Sequence, residues 1–268
     1  MRVDVYLTQY GYAQSRARAQ QLIFSGQVML DGVTVEKAGA VIDETCPHTV
    51  EIGQDIPYVG RGGCKLEAAL DAFNLDVKGA WAVDIGASTG GFTDCLLRRG
   101  AERVYAIDSG AGQLAPALLL DPHVINMEKC NARYLSCDAL GEEFVRRGGA
   151  DVVVMDVSFI SQTYLHPVIA SLLAPNGVAV TLIKPQFEVG RERLGKRGIV
   201  KEPKWRREAV EKILESASAT GLLPTALIRS PIEGGDGNVE YLVLLQKASD
   251  IQTKCLTANM LDVALFRS

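Results

Sequence analysis

Residues 84–92 read Asp84-Ile85-Gly86-Ala87-Ser88-Thr89-Gly90-Gly91-Phe92, and this stretch decides the predicted fold. It starts at the end of a strand-length apolar run, residues 81–85, and continues into a helical pattern at residues 92–99. Glycines in such a turn let a ligand approach the backbone closely, and the first turn of the helix offers N–H groups that have no partner within it. The stretch therefore predicts a ligand-binding turn between a strand and a helix.

Strands and helices alternate on both sides of this turn. Apolar runs of strand length lie at residues 81–85, 103–107, 151–155, 178–183 and 239–245. Helical patterns lie between them, near residues 92–99, 161–173 and 205–219. This alternation indicates βαβ units, and hence an α/β fold with a mostly parallel sheet that is covered on both faces. The last strand follows a glycine-rich loop and is expected to pair antiparallel.

The first 57 residues are predicted to form a small α+β unit of their own. Ser15 is placed to cap a helix that ends at Gly26, and Asp31-Gly32 separates two short apolar runs as in a two-residue hairpin. Such a unit is too small for a large catalytic cleft and is expected to bind a partner. Residues 58–63 are predicted to be a linker, and residues 64–246 are predicted to form the second domain, with a helix over Lys65–Phe73. Residues 247–268 have no assigned structure.

The composition excludes several protein classes. Of the 268 residues, 47% are hydrophobic and 22% are charged, which is unlike collagen, a coiled coil or a disulfide miniprotein. No apolar run reaches the ~18 residues of a membrane-spanning helix, and no apolar signal region follows the first methionine. The six cysteines form no CxxC pair and no metal-like spacing. We therefore expect a cytoplasmic protein with reduced cysteines and without a metal.

Charge is distributed unevenly along the chain. The net charge is −4, and residues 1–57 carry four basic and seven acidic side chains. Residues 191–207 carry eight basic side chains and two acidic ones, with Trp205 among them. This segment is a candidate phosphate-binding surface, although a solvated loop that leads into a basic helix start would show the same pattern.

The glycine-rich turn has three possible functions. A dinucleotide site would require G-x-G-x-x-G, which G-A-S-T-G-G at residues 86–91 fits only in part. The same residues match G-x-S-x-G, which would make Ser88 a hydrolase nucleophile, but the only later histidines are His123 and His166, far from the chain end.

The third possibility is a site for S-adenosylmethionine (AdoMet). Asp84 stands two residues before the first glycine of the turn. Asp108 follows the next strand, 22 residues after Gly86, where it can accept from ribose hydroxyls.

Further charged residues stand at strand ends. Asp156 and Lys184 each end an apolar run, and the carboxyl edge of a parallel sheet is where such folds bind ligands. A structural ion pair at the sheet edge is the alternative for these two. Glu240 begins the last apolar run and Lys65 follows two glycines, and each is a weak signal on its own.

Together these features resemble a known family, the TlyA-type rRNA 2′-O-methyltransferases, also named hemolysin A, which have an FtsJ-like catalytic domain. The N-terminal unit resembles an S4 RNA-binding domain through Arg2-Val3-Asp4, Ser15-Arg16 and Gly26–Gly32. The resemblance rests on five blocks that occur in order: Gly62–Glu67 (GGCKLE), Asp84–Asp94 (DIGASTGGFTD), Met155–Ser161 (MDVSFIS), Leu182–Glu188 (LIKPQFE) and Gly237–Tyr241 (GNVEY).

The resemblance implies a fold, a cofactor, a partner and a site. The fold is a Rossmann-like methyltransferase sheet, the cofactor is AdoMet, and the partner is rRNA or a ribosomal subunit. The implied catalytic tetrad is Lys65, Asp156, Lys184 and Glu240. The AdoMet-binding residues would be Asp84, Gly86, Ala87, Ser88, Thr89, Gly90 and Asp108, with Asp138 at the adenine. The RNA would cross Arg16, Arg18, Arg61, Arg191, Arg193, Lys196 and Arg197.

The implied reaction requires a base, because a ribose 2′-hydroxyl is a weak acid. Lys184 is the candidate base in its neutral form, which burial and the second cation at Lys65 would favour. Asp156 and Glu240 would orient the two lysines. Family members that act on both ribosomal subunits carry extra N-terminal residues, whereas Arg2-Val3-Asp4 stands at the start here. We therefore expect the target to be a cytidine of large-subunit rRNA.

Two functions from other classes compete with this one. An RNA- or ribosome-binding protein with a non-catalytic methyltransferase fold is the principal alternative, and the intact tetrad and glycine turn argue against it. A membrane-lytic hemolysin would need a spanning segment, a secretion signal or a long amphipathic basic helix, and the sequence shows none of them.

Overall fold

The computed structural model describes residues 1–24, 26–35, 37–53, 57–234, 237–248, 262 and 264. Most of the predicted C-terminal tail, 247–268, therefore lies outside the described residues. Two regions have cores of their own, one within residues 1–53 and one within residues 57–248, to which Ala264 is added.

The N-terminal region is a small α+β unit. Its helices and strands are α1 (Val3–Gln9), α2 (Arg16–Phe24), β1 (Val28–Leu30), β2 (Val33–Thr34) and β3 (Val50–Ile52). The strands form an antiparallel sheet in the order β2-β1-β3. The predicted cap and hairpin are confirmed: the Ser15 hydroxyl accepts from the Arg18 N–H at 3.1 Å, and Asp31 and Gly32 both have the positive φ that such a turn requires. The sequence did not predict α1 or β3.

The larger region is built on a seven-stranded sheet. Its strands are β4 (Trp81–Ile85), β5 (Arg103–Ile107), β6 (Val124–Met127), β7 (Ala150–Met155), β8 (Leu173–Ile183), β9 (Leu222–Arg229) and β10 (Tyr241–Lys247). The helices are α3 (Gly62–Ala72), α4 (Gly91–Arg98), α5 (Pro116–Leu119), α6 (Glu142–Arg147), α7 (His166–Leu172) and α8 (Pro203–Ala219).

The order of strands in this sheet is β6-β5-β4-β7-β8-β10-β9. Strands β4 to β8 are parallel, and β10 lies antiparallel between β8 and β9. The predicted mostly parallel sheet with an antiparallel last strand is therefore confirmed. The sequence missed the two edge strands, β6 and β9. Strand β9 contains Pro224, which interrupts the strand pattern and lies at a register shift opposite β10.

Helix α3 begins at Gly62, so that the last two residues of the predicted linker, 58–63, are helical. Gly62 and Gly63 allow close packing here; they do not make this segment a flexible linker. A Cβ at Gly63 would overlap the ring of the buried Tyr58, and one at Gly62 would lie 3.3 Å from Phe92 on α4. The missing side chains thus let α3 approach α4 and the segment before it.

Both faces of the sheet are buried. Along β4, Trp81, Val83 and Ile85 face one core together with α6, α7 and α8, and Ala82 faces the other core together with α3 and α4. The central strands are therefore buried on both faces, as is typical of parallel sheets. Within the described residues, no helix is both long and apolar enough to cross a membrane.

Candidate active site

A cavity of about 550 Å³ opens at the carboxyl ends of β4, β5 and β7. This volume is in the usual range for small-molecule sites. The charged side chains among its lining residues are Asp108 and Asp156, and no lysine, arginine or histidine lines it in the described part of the chain. Such a lining suits a cationic ligand and disfavours the phosphates of a dinucleotide.

The glycine-rich turn forms one wall of the cavity. Gly86 has a φ of 84°, and a Cβ there would overlap the backbone oxygen of Asp156. Asp108 supports the turn: its carboxylate accepts from the N–H of Ser88 at 2.8 Å and from the N–H of Gly110 at 2.7 Å. Of the predicted cofactor residues, Gly86, Ser88 and Asp108 line the cavity.

The other predicted residues of the turn lie behind this wall. Ala87 is buried, and Gly90 caps α4 with a φ of 93°. Thr89 points toward Gly60, where a Cβ would lie 2.7 Å from its hydroxyl oxygen. The turn therefore contacts both the cavity and the segment that joins the two regions.

Asp84 is a fully buried carboxyl group at the base of the turn. Its Oδ2 accepts from the Thr93 hydroxyl at 2.7 Å, and its Oδ1 has no hydrogen-bond partner among the described residues. Burial raises the pKa of Asp84 to about 7, and the charges of Asp156 and Asp108 add to this increase.

The four tetrad residues form two ion pairs. Lys65 on α3 contacts Glu240 with 2.6 Å between Nζ and Oε2, and both side chains are buried. Lys184, directly after β8, contacts Asp156, directly after β7, with 2.6 Å between Nζ and Oδ1. Each lysine therefore has its own carboxylate, and Lys184 also donates to the Ser158 hydroxyl at 3.0 Å.

The two pairs lie close to each other. A Cβ at Gly62, in the first turn of α3, would be 4.0 Å from Oδ2 of Asp156. The same helix carries Lys65 one turn later. Gln186, two residues after Lys184, donates to Glu240 at 3.4 Å. The tetrad thus joins α3, β7, β8 and β10 at one edge of the sheet.

Two phenylalanines lie at this edge, and neither was predicted from the sequence as a site residue. Phe159 lines the cavity, is 91% exposed and has a φ of 64°, which is rare for a residue other than glycine. Its ring centroid lies 5.0 Å from that of Phe187. The sequence signal was present, because both residues belong to quoted blocks, but their exposure cannot be read from an apolar pattern.

The structure does not bring Asp138 to the cavity. Asp138 is exposed and lines a separate shallow depression with Glu142, Val145 and Arg146. The 3₁₀ turn Cys137–Leu140 buries Leu140, so that the aspartate faces solvent. The lining from this part of the chain comes instead from Cys130, Asn131 and Ala132.

The geometry does not support Ser88 as a hydrolase nucleophile. Its hydroxyl contacts the side chain of Gln113 at 3.2 Å. His166 is buried against Ser216, and this burial lowers its pKa to about 4. His123 contacts the backbone oxygen of Glu102. Among the described residues no histidine is paired with Ser88.

The predicted RNA-binding arginines of the N-terminal half make contacts within the protein. Arg16 donates to the buried Asp4 at 2.8 Å, which also accepts from Arg2 and Gln20. Arg61 donates to the backbone oxygen of Glu233 at 3.1 Å, and its side chain lies against Gly26. The backbone N–H of Arg18 is bonded to Ser15.

The basic segment 191–207 contains both exposed and paired arginines. Arg191 and Arg197 are exposed. Arg193 is paired with Glu208, and its guanidinium lies 4.1 Å from the centre of the Trp205 ring. Lys196 begins a 3₁₀ turn. Arg191 and Arg197 therefore have exposed side chains, whereas that of Arg193 is engaged.

Comparisons with known proteins agree with the geometry. The model of the FtsJ-like methyltransferase family matches residues 58–247, and that of the S4 domain matches residues 1–44. The chain is 43% identical over 244 residues to YqxC of Bacillus subtilis, which is provisionally named an rRNA methyltransferase; the match spans 91% of this chain and 85% of YqxC.

Two further proteins match over almost the whole chain. The chain is 39% identical over 267 residues to the 16S/23S rRNA (cytidine-2′-O)-methyltransferase TlyA of Mycobacterium tuberculosis, covering 100% of this chain and 96% of TlyA. A solved structure from Streptococcus thermophilus, described as a hemolysin, superposes with a TM-score of 0.75 at 38% identity, over 98% of this chain and 94% of that one.

Proposed function

The chain belongs to the FtsJ-like methyltransferase family and begins with an S4 domain, and on that premise we propose that it methylates the 2′-hydroxyl of a cytidine in large-subunit rRNA with AdoMet as donor. The observation that carries the proposal is the position of the two lysine–carboxylate pairs beside the cavity. Residues of the glycine-rich turn and Asp108 line the same cavity as Asp156.

The residues around the cavity fit AdoMet. Its lining carries two carboxylates and no cation among the described residues, and the buried Oδ1 of Asp84 has no partner nearby. Gly86, Ser88 and Asp108 would hold the donor, with Asn131 replacing the expected Asp138 near its adenine. AdoMet would supply a methyl group on a positively charged sulfur. The sulfur would keep the electrons of the broken C–S bond as an oxygen bonds to the methyl carbon.

Lys184 is the proposed base. In its neutral form, Nζ takes the proton of the ribose hydroxyl, and the electrons of the O–H bond stay on the oxygen that attacks. Asp156, 2.6 Å away, then stabilises the ammonium group. Ser158 accepts from the same nitrogen and fixes its direction. General-base assistance of this kind contributes about 10²–10⁴ in rate.

The second ion pair orients the site. Lys65 and Glu240 are both buried and, together with Gln186, tie α3 to the start of β10. Phe159 and Phe187 present aromatic surface beside Lys184, and aromatic faces stack on unpaired bases. We infer that they hold the target cytosine while its ribose reaches Lys184.

The test is the transfer of labelled methyl from AdoMet to purified large and small ribosomal subunits from cells that lack this chain. We expect label on large-subunit RNA, mapped by nuclease digestion to the 2′-oxygen of a cytidine. Lys184→Ala should lower kcat by about 10²–10⁴ while AdoMet still binds. Lys78→Ala is the matched control, because Lys78 is exposed and precedes β4 at the opposite end of the sheet.

Each other outcome has a distinct meaning. Label on the small subunit alone would contradict the proposed acceptor but not the reaction. AdoMet binding without label on either subunit would favour the non-catalytic RNA-binding protein. Full activity of Lys184→Ala would remove Lys184 from the mechanism.

A further inference from the structure

Glu188 is a buried carboxylate close to the proposed site. It follows the 3₁₀ turn Pro185–Phe187, which begins directly after Lys184, and only 1% of its side chain is exposed. A buried carboxylate is costly unless it is paired and hydrogen-bonded. The hydrogen-bond partners of Glu188 therefore indicate which part of the structure its carboxylate holds in place.

Two of these partners belong to the segment after β7, residues 156–162, which we call the site loop. The Ser161 hydroxyl donates to Oε2 of Glu188 at 2.6 Å, and the backbone N–H of Gln162 donates to Oε1 at 2.9 Å. Each carboxylate oxygen therefore holds one point at the C-terminal end of the site loop.

Gln162 extends this contact to β8. Its side-chain amide donates to the backbone oxygen of Leu182, and the Thr181 hydroxyl donates to its side-chain oxygen at 3.0 Å. Leu182 stands two residues before Lys184. The end of the site loop is thus fixed to the strand that carries the proposed base.

The start of the site loop is fixed as well, because the Asp156 N–H donates to the backbone oxygen of Ile85 at 3.0 Å. Between the two fixed ends lie Ser158, which accepts from Lys184, and Phe159 with its left-handed backbone. A residue in such a conformation persists only where the surrounding structure imposes it. Glu188 bonds to the two residues that end this loop, Ser161 and Gln162.

The third partner comes from α8. Lys212 donates to Oε2 of Glu188 at 3.1 Å and to its backbone oxygen at 3.0 Å. These bonds join the two ends of segment 189–211, which includes the basic segment 191–207. Lys212 is 46% exposed, so that its charge stays hydrated without Glu188.

We propose that Glu188 is a positioning residue, whose carboxylate holds the site loop in the conformation in which Asp156 and Ser158 meet Lys184. The inference rests on the proposed function for its kinetic part. Its structural part, the hold on the Gln162 N–H, is independent of any activity.

The test compares Glu188→Ala, Glu188→Gln and Lys212→Gln in the full chain. Glu188→Ala should lower kcat by about 10²-fold, because a displacement of about 1 Å has an effect of this size. The loss of kcat should exceed any change in KM for the subunit or in the Kd of AdoMet, since no group that we assign to either ligand is removed.

Glu188→Gln should restore most of kcat. The glutamine oxygen can still accept from Gln162, and the Ser161 hydroxyl can reverse and accept from the amide. Lys212→Gln is the matched control for the ion pair. It removes the charge partner but leaves both loop hydrogen bonds, so that kcat should stay near that of the wild type.

Hydrogen exchange of the peptide that spans residues 157–165 gives a readout without substrate. Exchange should be faster in Glu188→Ala than in the wild type and near the wild-type rate in Glu188→Gln. If Glu188→Ala does not fold, Ser161→Ala replaces it, with faster exchange and a smaller loss of kcat expected.

Three results would overturn the inference. They are unchanged exchange in Glu188→Ala, an equal loss of kcat in Lys212→Gln, and a loss of thermal stability with kcat per folded molecule unchanged. A wild-type protein that methylates no subunit would instead refute the proposed function, and the exchange measurement would still decide whether Glu188 holds the loop.

Discussion

Asp84 shows at the scale of one residue how burial changes a carboxyl group. In the folded protein it keeps its proton up to about pH 7, whereas in the unfolded chain it loses it near the ordinary value of 3.8. Between pH 3.8 and about pH 7 the folded protein binds more protons at Asp84 than the unfolded chain does. The stabilisation that comes from this bound proton is therefore lost as the pH rises. The unfolding free energy of the wild type relative to Asp84→Asn should therefore fall from pH 4 to pH 7 by up to about 1.4 kcal/mol per pH unit.

The measurement is urea unfolding at several pH values, followed by the fluorescence of Trp81 and Trp205, which both lie in the larger region. Asp138→Asn is the control, because Asp138 is exposed, and it should follow the wild-type curve. Parallel curves for Asp84→Asn and the wild type would show that Asp84 is ionised throughout.

The strand-end positions of Asp156, Lys184 and Glu240 could be predicted from the sequence, and so could an ion pair between Asp156 and Lys184, which the structure contains. The pairing of Lys65 with Glu240 could not, because it depends on the place of β10 beside β8. The antiparallel direction of β10 brings Glu240 to the edge at which the parallel strands end, and no local pattern encodes this. The outward direction of Asp138 could not be predicted for a similar reason, because the turn that carries it is set by the burial of Leu140.

At the scale of elements, the close approach of α3 depends on Gly63. A methyl group there would overlap the Tyr58 ring, so that Gly63→Ala should lower the unfolding free energy by about 1–3 kcal/mol despite the higher helix propensity of alanine. Gly62→Ala should cost less, since its nearest contact would be 3.3 Å from Phe92. Urea unfolding compares the two variants, and equal stabilities would contradict the packing role of Gly63.

Central and edge strands differ in how well the sequence predicts them. β4, β5 and β7 are continuous apolar runs because they are buried on both faces, and the sequence predicted them. β6 has four residues with partial exposure, and β9 carries a proline, so that neither shows a strand pattern. These edge strands lack a local strand pattern, and they form because they pair with β5 and β10 in the folded sheet.

At the scale of the whole molecule, RNA binding should depend on a few accessible charges. Arg191 and Arg197 are exposed, whereas Arg16 and Arg193 are engaged in ion pairs. Arg191→Gln and Arg197→Gln should each reduce the slope of log affinity against log salt concentration by about 0.7–0.9. Filter binding of the large subunit at several salt concentrations measures this slope.

Arg103→Gln is the matched control for these variants. Arg103 is paired with Glu143 and lies over Trp81, at the amino end of the parallel strands. Its removal should leave the salt slope unchanged. Equal slopes for Arg191→Gln, Arg197→Gln and the wild type would place the RNA on another surface.

The place of β10 has a consequence for the protein during its synthesis. Among the strands that the structure describes, β10 comes last along the chain, yet it inserts between β8 and β9 and brings Glu240 to Lys65. Until the ribosome has released it, β8 has an open edge that can pair with another chain. A nascent chain therefore joins Lys65 to Glu240 only once β10 has been made, and a product that terminates before β10 is prone to aggregate.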